Sequence, residues 1–261
     1  MNTNDYQDDE IHALPVILLL DTSGSMGATL GSATKIDKLN EAVVLMMKKF
    51  DELESLEKFI RVTVIAFDDD ERIIGAAHEE PKTFLQHFNP LTRGGMTYLG
   101  KALDKAKSIL ENPNSTPRRW YKPTVILVSD GEPNGSWEEP FRKFIGEGKS
   151  ARTQRFSMAI GVNQASAKKV LTDFAGTEKN FLTADDAQDI VKNFEFLSRT
   201  VTERASQANP DIFAIGDTDV FDNKERPKIF SGTRKTSVKS GRSRSVSNSV
   251  PKNDDQDFWD G

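Results

Sequence analysis

Two carboxylates and three hydroxyls, set in three short turns, are the side chains of this sequence best suited to joint chemistry. Asp21, Ser23 and Ser25 belong to Asp21-Thr22-Ser23-Gly24-Ser25, directly after the apolar run Val16-Ile17-Leu18-Leu19-Leu20. Thr97 stands in Gly94-Gly95-Met96-Thr97-Tyr98-Leu99-Gly100, and Asp130 in Ser129-Asp130-Gly131-Glu132-Pro133. A donor set made only of oxygen suits a hard divalent cation: Mg²⁺ first, with Mn²⁺ or Ca²⁺ as alternatives. In such a set the hydroxyls and Asp21 and Asp130 serve directly or through ordered water. Hydroxyls are weak donors, so a cation held this way keeps Lewis acidity and an open position for a carboxylate from another protein or segment. Two plainer readings stand beside this one: the hydroxyls cap helices, or the metal is purely structural.

For these turns to meet, the elements before them must share one sheet, with ligands at the carboxyl ends of strands near a topological switch point. Leu14 to Leu20 is almost wholly apolar and reads as a strand covered on both faces. Phe59 to Phe67, Arg72 to Ala77, Pro123 to Ser129, Arg155 to Val162 and Asn180 to Leu182 supply five further strands. Helical spacing predicts helices over Lys35–Lys58, Met96–Leu110, Trp137–Lys149, Ala165–Ala175 and Asp185 to about Gln207. The expected fold is α/β: a doubly wound, mostly parallel six-stranded sheet flanked by helices. The expected division is a flexible segment over 1–12, a folded domain over 13–208 and a largely disordered tail over 209–261.

Composition excludes several functions. With no Cys among 261 residues there is no disulfide, thiolate site or Cys nucleophile, which agrees with a reducing, cytoplasmic setting. Three scattered His residues give no zinc-ligand spacing. A net charge of −5 disfavours nucleic-acid binding by the folded part. No apolar run approaches a membrane span, and the acidic start is unlike a signal peptide.

Other signals are weaker. Lys143 to Ser150 ends like a phosphate-binding loop, but its first position is not Gly and it follows a helical pattern. Asp21 as the nucleophile of a phosphoryl-transfer or hydrolytic enzyme lacks a second carboxylate, since Ser23 stands two positions on. Asp68-Asp69-Asp70-Glu71 reads as a hairpin tip rather than a Ca²⁺ site, and Asp217-Thr218-Asp219 lacks the rest of a Ca²⁺ loop. Met46 and Met47 fit a core stripe. Trp137 is either core or partner contact. In the tail, Ser or Thr fills nine of the nineteen positions 231–249, among Arg and Lys, and an acidic, aromatic end (Asp254 to Asp260) follows. That tail is either a phosphorylation target or a solubilising extension, and its acids could reach the open metal position.

The combination Asp21-x-Ser23-x-Ser25, Thr97 and Asp130 resembles the metal-ion-dependent adhesion site of von Willebrand factor A domains. Leu18 to Met26 and Asp130-Gly131-Glu132-Pro133 followed by Trp137 resemble more narrowly the bacterial TerY/YegL-like branch. The resemblance covers about residues 13–206. It implies a non-enzymatic, Mg²⁺-dependent protein-binding module, with a protein kinase or PP2C-type phosphatase as associated partner in stress response, tellurium resistance or phage defence. A tail-mediated adaptor with a structural metal is the remaining alternative.

Overall fold

Eight successive residues, Leu14–Asp21, form strand β1, and every one of them is buried. Burial on both faces follows from alternation along the strand. Val16, Leu18 and Leu20 point into one apolar layer, and Ile17 and Leu19 into the other. The computed structural model describes residues 12–54 and 59–212. After β1 come a small hairpin, β2 (Thr29–Leu30) and β3 (Ala33–Thr34), then α1 (Lys35–Glu54), β4 (Ile60–Phe67), β5 (Glu71–Glu79), α2 (Pro81–His87) and α3 (Leu99–Glu111). The second half runs β6 (Thr124–Ser129), α4 (Glu138–Gly146), β7 (Gln154–Ile160), α5 (Ala165–Ala175), β8 (Phe181–Ala184) and α6 (Ala187–Ser206). The expectations for residues 1–11 and for the tail beyond 212, including its serines, Asp217-Thr218-Asp219 and the acidic end, lie outside the described residues.

The main sheet has six strands in the order β5-β4-β1-β6-β7-β8. All pairs are parallel except β4 with the edge strand β5. The chain leaves β1 toward β4 on one side and returns on the other as β6, so the switch point lies between β1 and β6. Residues of α1 and α6, including Met46, Met47, Phe194 and Leu197, cover one face, and residues of α3, α4 and α5 cover the other. The six strands and the doubly wound order match the sequence expectation.

Two helix boundaries and one short helix depart from it. α3 begins at Leu99 rather than Met96, and the three preceding residues are held in a loop by bonds to other turns. Met96 N donates to Asp69 Oδ1 (2.9 Å), Thr97 N to Asn134 Oδ1 (2.9 Å) and Tyr98 N to the Asp68 carbonyl (3.1 Å). Thr97 therefore sits in a pinned loop, not in a helix. The helix expected over Trp137–Lys149 stops at Gly146 and resumes as a 3₁₀ turn over Ser150–Arg152. The seven-residue α2 is too short for a periodicity signal, although Pro81 at its first turn is a usual starting residue.

At the opposite end of the sheet from the three turns, Arg204 of α6 is 1% exposed. Its guanidinium donates to the Pro210 and Lys122 carbonyls, Thr124 Oγ1, Gln154 Oε1 and, at 3.5 Å, Asp211. Burial pushes its pKa down to about 10, with Asp211 opposing, so it stays charged at neutral pH. It ties the end of α6 to the starts of β6 and β7. We expect Arg204→Met to lower unfolding free energy by about 2–4 kcal/mol, since charge-assisted bonds are lost and buried carbonyls left unpaired. Urea unfolding checks this; a loss below about 0.5 kcal/mol, the range of ordinary surface changes, would remove the clamp role.

Candidate metal centre

Parallel registry sets the first contact. Leu20 lies opposite Val128, which brings the next residues of β1 and β6, Asp21 and Ser129, side by side at the switch point. Ser129 Oγ donates to Asp21 Oδ2 at 2.6 Å, and Ser23 N donates to Oδ1 at 2.8 Å. Asp21 is 0% exposed. Burial raises its pKa to about 6; the Asp130 charge adds to the rise, and the bonds from Ser129 and Ser23 oppose it.

The hydroxyls continue the cluster. Ser23 Oγ lies 2.9 Å from Ser25 Oγ, and Ser25 Oγ donates to Asp130 Oδ1 at 2.7 Å. Neither the Ser23 nor the Thr97 side chain caps a helix: Ser23 precedes a 3₁₀ turn without a side-chain bond, and the residue at the start of α3 is Tyr98. Thr97 is drawn in from both sides. Gly94 N donates to the Thr22 carbonyl (2.8 Å) and Gly24 N to the Gly95 carbonyl (3.0 Å), joining its loop to the first turn. Asn134 N donates to the Thr97 carbonyl (2.8 Å), joining it to the turn after Asp130. The Thr97 hydroxyl is nearly buried and has no hydrogen-bond partner among the described residues. All three turns thus converge, with Asp21, Ser23, Thr97 and Asp130 buried and Ser25, Gly24, Gly95 and Met96 exposed at the rim.

The donors fit a hard divalent cation. They are oxygens only, two are carboxylates, and the Thr97 hydroxyl has no hydrogen-bond partner among the described residues. Among the described residues no three His, Cys, Asp or Glu side chains group together, so the set depends on its hydroxyls.

Several supporting residues carried no recognisable sequence signal. The hairpin tip Asp68–Asp70 braces the Thr97 loop rather than standing free in solvent. Asp68 Oδ2 accepts from Thr22 Oγ1 (2.9 Å) and from Arg72 (2.8 Å), and Asp69 accepts from Met96 N. Gly95, at φ +60°, lies where a Cβ would come within 2.5 Å of the Asp69 carboxylate, so only Gly admits that contact. Lys35, the first residue of α1, donates to Asp130 Oδ2 at 2.8 Å. A cation at a helix start runs against the macrodipole, and that conflict was the one clue available in the sequence. Trp137, partly buried, packs edge-on against Phe141 and against the apolar layer of α4, so one side of its ring serves core packing. The phosphate-loop-like run ends with Lys149 Nζ donating to the Thr116 carbonyl and Ser150 Oγ to the Glu147 carbonyl, so both groups serve the fold.

In protein stripped of metal, ionised Asp21 opposes folding. Its folded pKa lies above the unfolded value of 3.8, so stability is greatest when it is protonated and falls as pH rises from about 4 through about 6. We expect Asp21→Asn, in the presence of chelator, to be about 2–3 kcal/mol more stable than the parent at pH 7.5, with the gain fading toward pH 4. Paired urea melts across that range check the sign; equal stability at both ends would contradict it.

A model of the von Willebrand factor type A domain matches residues 16–132. No curated protein matches the sequence. Among solved structures, the vWF domain of the type V pili tip protein Mfa5 from Porphyromonas gingivalis is 12% identical, with TM-score 0.59, covering 77% of this chain and 98% of that one. The PilB minor pilin from Streptococcus sanguinis is 16% identical, with TM-score 0.55, covering 75% and 62%. Proximal thread matrix protein 1 from the mussel byssus, solved with a zinc-occupied MIDAS motif, is 18% identical, with TM-score 0.54, covering 73% and 46%. The chain thus spans less than two thirds of the pilin and of the thread protein. Over residues 16–132 by sequence, and by fold, this chain is similar to von Willebrand factor type A domains.

Proposed function

We propose that the chain is a divalent-cation-dependent protein-binding module whose ion is held by Ser23, Ser25, Thr97, Asp21 and Asp130. The observation that carries this is the convergence at the sheet's switch point of the three turns that bear those residues, with Asp21 and Asp130 buried and Ser25, Gly24, Gly95 and Met96 exposed at the rim. Von Willebrand factor type A domains are protein-interaction modules, some of them metal-dependent, and the oxygen-only set suits a hard divalent ion: Mg²⁺ in our reading, with Mn²⁺ or Ca²⁺ as alternatives. When bound, the ion supplies an electrophilic position for a carboxylate. The chain's own part is to orient the hydroxyls from fixed backbone, to balance charge with two buried aspartates, and to limit water at the contact. Met96, half exposed beside Thr97, offers apolar area to the partner that presents the acid.

The sequence resemblance to the TerY/YegL-like branch supports a partner drawn from a kinase and phosphatase pair in bacterial stress response or defence. Cysteine-free composition fits a cytoplasmic setting, and among the described residues no helix is long and apolar enough to cross a membrane. We assign Asp21 no nucleophilic role, because both of its oxygens are hydrogen-bonded and it is fully buried.

Thr97→Ala separates binding from folding, since the hydroxyl it removes makes no internal bond. We expect it to change metal-free stability by less than about 0.5 kcal/mol. For wild type, Mg²⁺ at 100 times its Kd should add about 2.7 kcal/mol, a gain that Asp21→Ala and Thr97→Ala diminish. Pull-downs with and without chelator should retain a partner only for wild type with metal. Equal recovery under all conditions would overturn metal-dependent capture.

A further inference from the structure

The ion pair between Lys35 and Asp130 adds a third charge to the site, one that metal binding alone does not need. Asp130 has both carboxylate oxygens engaged: Oδ1 accepts from Ser25 Oγ at 2.7 Å and Oδ2 from Lys35 Nζ at 2.8 Å. The Asp130 side chain is 0% exposed and that of Lys35 is 10% exposed, so solvent screens the pair little. The ammonium is also fixed in place. Lys35 N donates to the Ala28 carbonyl, which anchors the start of α1 to the turn that follows Ser25. The side-chain end lies over Gly161, just past β7, where an added Cβ would approach Lys35 Cε to 3.3 Å and Nζ to 3.5 Å. At φ +60°, Gly161 also occupies a conformation that other residues rarely adopt, so the room for the ammonium is built into the end of β7. Helix propensity does not call for a cation at this position, because the positive end of the macrodipole repels it.

We infer that Lys35 is a built-in cation that competes with the divalent ion for Asp130 and sets the charge of the loaded site. Without the ion, the ammonium satisfies a buried carboxylate that would otherwise be costly. With the ion, Asp21 and Asp130 offset its two charges, and Lys35 leaves the cluster one charge positive. The cluster therefore holds its metal weakly and draws an incoming carboxylate strongly. This deepens the metal-dependent reading above and rests on it for the identity of the site.

The test is calorimetric titration of the full chain with MgCl₂ and, separately, MnCl₂. Wild type is compared with Lys35→Met, which fills the space without charge, Lys35→Gln, which keeps a donor toward Asp130, and Lys35→Arg, which keeps the charge. Circular dichroism verifies that each is folded. We expect the Met and Gln variants to lower Kd about tenfold or more, with Arg within about threefold of wild type, as removal of a nearby buried like charge demands. Neutral variants that bind the ion no more tightly than wild type overturn the inference, whatever wild type does. If wild type binds neither ion while the neutral variants do, Lys35 is the competitor inferred here and metal-dependent capture by the natural chain falls. If wild type binds and the neutral variants match it, capture stands and the role of Lys35 falls.

Discussion

A fully buried carboxylate at the end of a central strand is the constraint on which the rest of this structure depends. Asp21 loses its hydration at the point where β1 and β6 diverge, and among the described residues hydrogen bonds from Ser129 Oγ and Ser23, chiefly its N–H, replace it in part. The rise in its pKa records the shortfall. An uncompensated charge of this kind must be matched by a cation or by protonation. The neighbouring elements read as responses to that demand. The turn after β1 folds back to offer amide and hydroxyl groups, the turn after β6 brings a second carboxylate, and α1 begins with an ammonium.

Much of this was legible in the sequence because it rests on short-range chemistry. An apolar run too uniform for a half-exposed strand ends in Asp21, and the same pattern recurs at Asp130, so two strand ends with acidic turns are visible without any contact information. The five candidate residues stand out by type and position, and the structure brings the three turns that carry them to one place. The alternation of Val16, Leu18 and Leu20 against Ile17 and Leu19 cannot be seen as alternation in a run apolar on both faces, yet its presence implies helices on either side.

What the sequence hid depends on long-range pairing. Met96 to Tyr98 have a helical pattern, and nothing local shows that their amides are taken by Asp69, Asn134 and the Asp68 carbonyl. The acidic hairpin tip reads as solvent-facing because partners such as Thr22 and Met96 lie 46 and 27 positions away in the chain. Lys35 looks like one more surface cation at the head of an amphipathic helix. Its partner is 95 positions downstream, and only the β1–β6 register makes the two neighbours. Asn134 and Lys35 each bond to a candidate site residue, and Asp68 bonds to the neighbours Thr22 and Tyr98.

The two bonds that fasten the Gly94–Gly95 segment to the Thr22–Gly24 segment run from peptide nitrogen to peptide oxygen. Such a fastening is indifferent to the side chains that decorate it. Arg93 and Met96, which flank it in the open, can therefore be exchanged through descent without loosening the cradle beneath. Drift in a few surface letters would then alter the rim of the proposed site while the backbone of the turns stayed unchanged.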